Sequence, residues 1–215
     1  MRSDPATLIT ATMESSLVTH ADLRAGVFAF AVAYSVARLV DGDALADVVT
    51  VLPAAVRGVE DSWTLPRHPN WERDQGAPHA VSDAMREIFH AFPQDRRHAL
   101  RPEDLRDRVC LHALPHVPKK SHAPLHVNSP FVLLGGLHAL SMALLCSAEP
   151  KVILSEIAAQ GGKSLGLVGA IAGTVLGARH GTGWVSDVPE RVEKWAEAVA
   201  RGVPIERRDA FVRGG

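Results

Sequence analysis

Gly161-Gly162-Lys163-Ser164-Leu165-Gly166-Leu167-Val168-Gly169-Ala170-Ile171-Ala172-Gly173-Thr174-Val175-Leu176-Gly177-Ala178 carries the reading of this chain. Paired glycines after the amphipathic run Pro150 to Gln160 end one helix and expose backbone N–H groups at the start of the next. From Ser164 to Arg179 the pattern predicts that next helix. Gly169, Gly173 and Gly177, with Gly181 beyond them, recur every four residues and share one helical face. Interior glycine costs about 1 kcal/mol relative to alanine, so the stripe predicts a neighbouring helix packed closely on a central, buried helix. Function would then lie at the N-terminal end, where the backbone of Gly161, Gly162 and Ser164 forms a ligand cradle. Lys163 opposes the helix dipole there. Either an anionic partner holds it in place, or it is a solvated lysine.

Two nucleotide motifs are excluded at this point. A phosphate-binding P-loop needs glycine five residues before Gly162, where this chain has Ile157. The dinucleotide-binding fingerprint needs a strand feeding the glycine turn, and no strand pattern precedes it.

Outward from this stretch the chain reads as helix after helix. Asp4-Pro5 opens the first, ending near Val18. A second runs from about Asp22 to Val40, with Phe28, Ala31, Val32, Ser35, Val36 and Leu39 on one face and Gly42 stopping it. Asp43 caps a third towards Val59, kinked at Pro53. Glu60 to Pro78 lacks periodicity and reads as a long loop, with Trp63 and Trp71 available to stack on a ring or fasten it. Helix returns over Val81 to Phe92 and from Pro102 to Leu114, followed by a second irregular loop at about 115–129. Four closely spaced helices then cover Pro130–Ser147, Pro150–Gln160, Ser164–Arg179 and Pro189–Arg201, before a tail from about 203. Sustained alternation is nowhere present, so the expectation is a single all-α domain, a helical bundle over residues 1–215.

Composition agrees with that class. Of 215 residues 47% are hydrophobic and 22% charged, and a net charge of −1 gives no general attraction to nucleic acid or anionic membrane. Cys110 and Cys146 lie in apolar helical patterns and read as buried thiols of a reducing cytoplasm. No secretory leader pattern opens the chain. Pro130 to Ala148 and Ser164 to Ala178 are apolar enough to raise a membrane question. The first carries His138 and two serines, and the second is shorter than the roughly 20 residues a span needs. Both read as buried core helices.

The C-terminal half resembles the ADP-ribosylglycohydrolase family. That all-α family carries Gly-Gly-Asp-x-Asp-Thr, then an Ala-Ile-Ala-Gly-type helix, a further glycine and an Ile-Pro turn. Here Gly161-Gly162, Ala170-Ile171-Ala172-Gly173, Gly177-Ala178, Gly181 and Val188-Pro189 stand in that register. Val18-Thr19-His20-Ala21-Asp22, followed by an alanine-rich helix, is similar to the family's Thr-His segment. The resemblance implies an ADP-ribosylglycohydrolase-like bundle with a cleft for an ADP-ribosyl ligand and two magnesium ions. Yet the family's Asp, Asp and Thr ligands fall on Lys163, Leu165 and Gly166. Leucine and glycine offer no ligand side chain, and an ammonium group only mimics a cation. The expectation is therefore no metal and no cofactor. The family's second metal-binding segment, with its catalytic acid, lies nearer the N-terminus, and the chain is expected to begin after it.

The remaining candidates are histidines and their neighbours. His126, Asn128 and Ser129 precede the Pro130 helix, where the resemblance places the border of the substrate cleft. His126 there acts as a general base or ligand holder, or else packs the following helix. His20 is a ligand-binding candidate, or bonds a helix end. His112 and His116 have zinc-like spacing, but Pro115 interrupts the turn. The functional expectation is a divergent, metal-independent member that binds an ADP-ribose-like or other small molecule, with repurposing as a biosynthetic enzyme left open. Lys163 and His126 are its catalytic candidates, and Gly161, Gly162, Ser164, His20, Asn128 and Ser129 its binding residues. The alternative is a non-catalytic binding, regulatory or immunity-type protein. Loss of N-terminal elements would expose apolar surface on the Phe28 and Gly169 helices, so a homo-oligomer or a partner subunit is expected, with no nucleic acid and no membrane.

Overall fold

The protein is described from a computed structural model, covering residues 4–20, 22–63, 78–90, 101–117, 126–181, 183–185 and isolated positions up to 201. Eight α-helices are present among these residues: α1 (Pro5–Leu17), α2 (Leu23–Val40), α3 (Leu45–Ser62), α4 (Ala80–His90), α5 (Pro102–Ala113), α6 (Leu137–Leu145), α7 (Pro150–Ala159) and α8 (Leu165–His180). No strand occurs among them. The chain divides into two compact units, residues 1–181 and 182–215, and all eight helices belong to the first. Trp71, Trp195, His122, most of the expected helix over Pro189–Arg201 and the tail lie outside the described residues.

The helix starts follow local chemistry. Asp4 caps α1 by accepting from the Thr7 N–H, with Pro5 in the first turn. Asp22 caps α2 through the Arg24 N–H at 3.0 Å, and its carboxylate also holds the Arg24 guanidinium. Asp43 does not cap α3. Ala44 occupies that position, and Asp43 is drawn away to the guanidinium of Arg38. The third helix runs without a break through Pro53 and beyond Val59 to Ser62, so Glu60 and Asp61 belong to a helix rather than a loop. Glu60 reaches α4, accepting from Val81 N–H at 3.0 Å and from the Ser82 hydroxyl. A carboxylate at the positive end of a helix satisfies donors that have no partner within that helix.

α6 is the most buried element: every residue from Leu137 to Leu145 lies inside. The expected helix from Pro130 starts later, as a π-helical turn over Val132–Gly136 that leads into α6. Gly135 and Gly136 make that turn possible. A β-carbon at Gly135 would stand 2.1 Å from the Ser129 carbonyl oxygen and 3.0 Å from Val168, and one at Gly136 would stand 2.9 Å from the Phe28 ring. Strands of packing from α2, α8 and the preceding loop therefore meet on two missing side chains. Phe28, on the helix expected to carry exposed apolar surface, is buried.

α8 packs against α2, α6 and α7 through Val168, Ala172, Val175 and Leu176. The glycine stripe is not the packed face. Among the described residues nothing lies within 4 Å of a β-carbon built at Gly169, Gly173 or Gly177. The register of burial sits one residue earlier, because the apolar side chains of this face seek the core, and the glycines are left half-buried. The half-buried Arg179 fastens the far end of α8, donating to the carbonyls of Ala143 and Cys146 at 3.0 and 2.9 Å. Those carbonyls close α6, where a cation is favourable. By length and composition α2 passes as a possible membrane span, not the two segments singled out from the sequence. In this fold it packs against α1, α3 and α8. Cys146 is buried just past α6, its thiol pushed up to about 11 by burial, whereas Cys110 is only partly covered.

Candidate functional site

The turn between α7 and α8 is held by a single buried carboxamide. Asn128 has no solvent exposure, and its Nδ2 donates to the Ile157 carbonyl at 2.9 Å and the Gly161 carbonyl at 2.7 Å. With both N–H groups spent on carbonyls, Oδ1 is the acceptor that faces His138 Nδ1 at 3.0 Å. The proton of His138 therefore sits on Nδ1. Its Nε2 is a buried acceptor without a protein partner among the described residues, as is Ser141 Oγ one turn later on α6. Burial, with help from Arg106 and His126, pushes the His138 pKa down to about 4, so the ring is neutral near pH 7.

His126 completes the clamp. Its Nδ1 accepts from the Asn128 N–H at 3.0 Å, which leaves Nε2–H to donate to the Gln160 carbonyl at 3.1 Å. The imidazole lies directly over Gly162: a β-carbon there would be 2.7 Å from the ring and 2.9 Å from Asn128 Cβ. Gly162 also has φ +105°, a second reason for glycine at this position. Gly161, at φ +67°, is required by its backbone alone. The Ser164 N–H then reaches the Asn128 carbonyl at 3.4 Å, so the loop before α6 sets the first turn of α8.

The structure thus brings together His126, Asn128, Gly161, Gly162 and Ser164. Ser129 is adjacent but structural: its hydroxyl accepts from the Phe131 N–H at 3.3 Å and its carbonyl abuts Gly135. Phe131 carries the Arg24 guanidinium over its ring at 5.2 Å, which ties the start of α2 to the same loop. His20 is exposed and bonded to Thr19 Oγ1 at 2.8 Å, and among the described residues no hydrogen bond or ion pair joins it to the cluster. Lys163 stands exposed on the turn itself. His112 meets Glu87 at 3.1 Å. Among the described residues no three His, Cys, Asp or Glu side chains gather as a metal site.

Sequence reasoning missed His138, Gly135 and Gly136. One signal was legible: a lone histidine within the otherwise apolar run Leu137–Leu145 must find a polar partner once buried. The glycine pair at 135–136 was overlooked beside the more regular stripe in α8.

Across residues 1–212 the chain matches the family model described as ADP-ribosylglycohydrolase. No curated protein and no solved structure matches it.

Proposed function

The chain belongs to the ADP-ribosylglycohydrolase family, and on that premise we propose that it is a divergent member that binds an ADP-ribose-like ligand without the family's paired metal ions. The observation that carries this reading is a turn kept while its ligand letters are gone. Gly161 and Gly162 keep the backbone shape, and His126 and Asn128 hold it in place. Where the family has oxygen ligands, this chain has an exposed Lys163, a Leu165 and a Gly166. Hard divalent cations require oxygen donors, which these three side chains do not supply. The residues present therefore do not fit the metal pair. An ammonium group beside a helix N-terminus suits a phosphate instead.

A non-catalytic binding or regulatory role is the second reading, and His126 favours it. Both ring nitrogens are committed to backbone groups, so the lone pair that a general base needs is already in use. Lys163 remains the candidate acid or anion binder.

Thermal unfolding with ADP-ribose, ribose and inorganic phosphate, each in magnesium and in EDTA, tests the proposal. ADP-ribose is expected to raise Tm equally in both, with the rise reduced in Lys163→Ala. A rise that requires magnesium would overturn metal independence, and no rise with any ligand would overturn binding. Release of ADP-ribose from a modified peptide, abolished by His126→Ala at unchanged Tm, would displace the non-catalytic reading.

A further inference from the structure

A second polar recess lies away from the Gly161 turn, between α3 and α4. The two helices are joined at one end by Glu60, which holds the first turn of α4. Along their outer faces they leave a cleft of about 290 Å³, lined by Pro53, Ala54 and Arg57 of α3 and by Asp83, Arg86 and His90 of α4, among others. The spacing of these residues, three or four apart on each helix, puts each set on one face.

The guanidiniums in this cleft keep hydrogen-bond donors unspent. Arg57 Nη1 and Arg86 Nη2 both converge on the same oxygen, Asp83 Oδ1, at 3.1 and 3.0 Å. Two guanidiniums thus share one oxygen of a single carboxylate. Asp61 balances the second guanidinium by charge, 3.8 Å from Arg57 Nε, but lies beyond hydrogen-bond reach. Each guanidinium has five N–H donors, and Asp83 engages only part of that fork. His90, in the last turn of α4, adds a third nitrogen group to the cleft wall. The floor is different in kind. The Pro53 ring and Ala54 methyl present carbon, and Pro53 brings no N–H of its own.

We propose that this cleft binds a small phosphomonoester, whose three peripheral oxygens meet Arg57, Arg86 and His90 while its organic body rests on Pro53 and Ala54. Three oxygens match three donor groups in a way that a carboxylate's two do not. Asp83 holds the two arginines together when the cleft has no ligand and competes with the phosphate for them.

Phenyl phosphate titrated into the full chain by calorimetry tests this, with phenol as the uncharged control. Saturable binding of one equivalent is expected, with none for phenol. Arg57→Gln and Arg86→Gln should each weaken it about tenfold, the loss of one charged hydrogen bond. Asp83→Asn should tighten it, a direction that damage to the fold would not produce. Arg201→Gln, on a pair with Glu197 in the other unit, should leave it unchanged. Absence of saturable binding, or an affinity insensitive to both cleft arginines, overturns the proposal. Binding abolished by Lys163→Ala alone would assign the phosphate to the Gly161 turn and overturn this site while leaving the other reading standing.

Discussion

Asn128 Oδ1 and His138 Nδ1 meet at 3.0 Å in the interior, a contact that sets which ring nitrogen of His138 carries the proton. Because Asn128 Nδ2 is occupied by two carbonyls, His138 must donate. Through it α6 is linked to the turn that starts α8, and the site rests on the most buried helix of the fold. Four consequences can be measured.

Asn128→Ala removes two donors and one acceptor at once and leaves the Ile157 and Gly161 carbonyls and His138 Nδ1 without it. Each buried group left unpaired costs about 1–3 kcal/mol, so a loss of about 3 kcal/mol or more is expected in urea unfolding. Asn128→Asp should be at least as damaging at pH 7, since a carboxylate cannot donate to those carbonyls. A loss below about 1 kcal/mol for either would mean that the network does not hold the turn.

The glycines divide into two groups with opposite expected signs. Gly162→Ala and Gly135→Ala would drive a methyl into the His126 ring and the Ser129 carbonyl, and both should destabilise strongly. Gly173→Ala meets nothing within 4 Å among the described residues and should stabilise by up to about 1 kcal/mol through helix propensity. Thermal unfolding of the three variants reads the signs directly. Destabilisation or dissociation of an oligomer by Gly173→Ala would show instead that another chain covers this face.

Acid should weaken the fold through His138. Its folded pKa of about 4 lies below its ordinary 6.5, so between these values the unfolded chain binds more protons. The stabilisation is complete above about pH 6.5 and is lost as pH falls towards 4, by about 3 kcal/mol in all. His138→Asn, which keeps an N–H near Asn128 and does not titrate, should flatten that part of the profile. His116 and His180, whose pKa values burial also lowers, remain in this variant, so the difference isolates His138. An unchanged pH profile would refute the assignment.

Glu60 is expected to govern α4. Glu60→Ala removes the acceptor for Val81 N–H and the Ser82 hydroxyl and should cost about 1–2 kcal/mol, the worth of a helix cap. Hydrogen exchange should accelerate over residues 80–83 more than over α8. Uniform acceleration across the chain would argue against a local cap.

The sequence by itself determined the all-α class, most helix limits and the paired-glycine turn, because these follow from local periodicity, capping residues and backbone sterics. Asp4, Asp22 and Gly161 act within a few residues of their own positions, and a linear reading finds them. It also exposed the missing ligand letters at Lys163, Leu165 and Gly166, which depend on residue identity alone. Only the tertiary structure decided which glycines are needed. Gly169, Gly173 and Gly177 have the regular spacing but, among the described residues, nothing within 4 Å of a β-carbon, whereas Gly135, Gly136 and Gly162 face Ser129, Phe28 and His126. The tertiary structure alone also turned Asp43 towards Arg38, and joined Asn128 to Ile157, twenty-nine residues along the chain. The physical reason is common to all of these. A missing side chain or a buried polar group acquires its role from the atom opposite, and that atom comes from elsewhere in the chain.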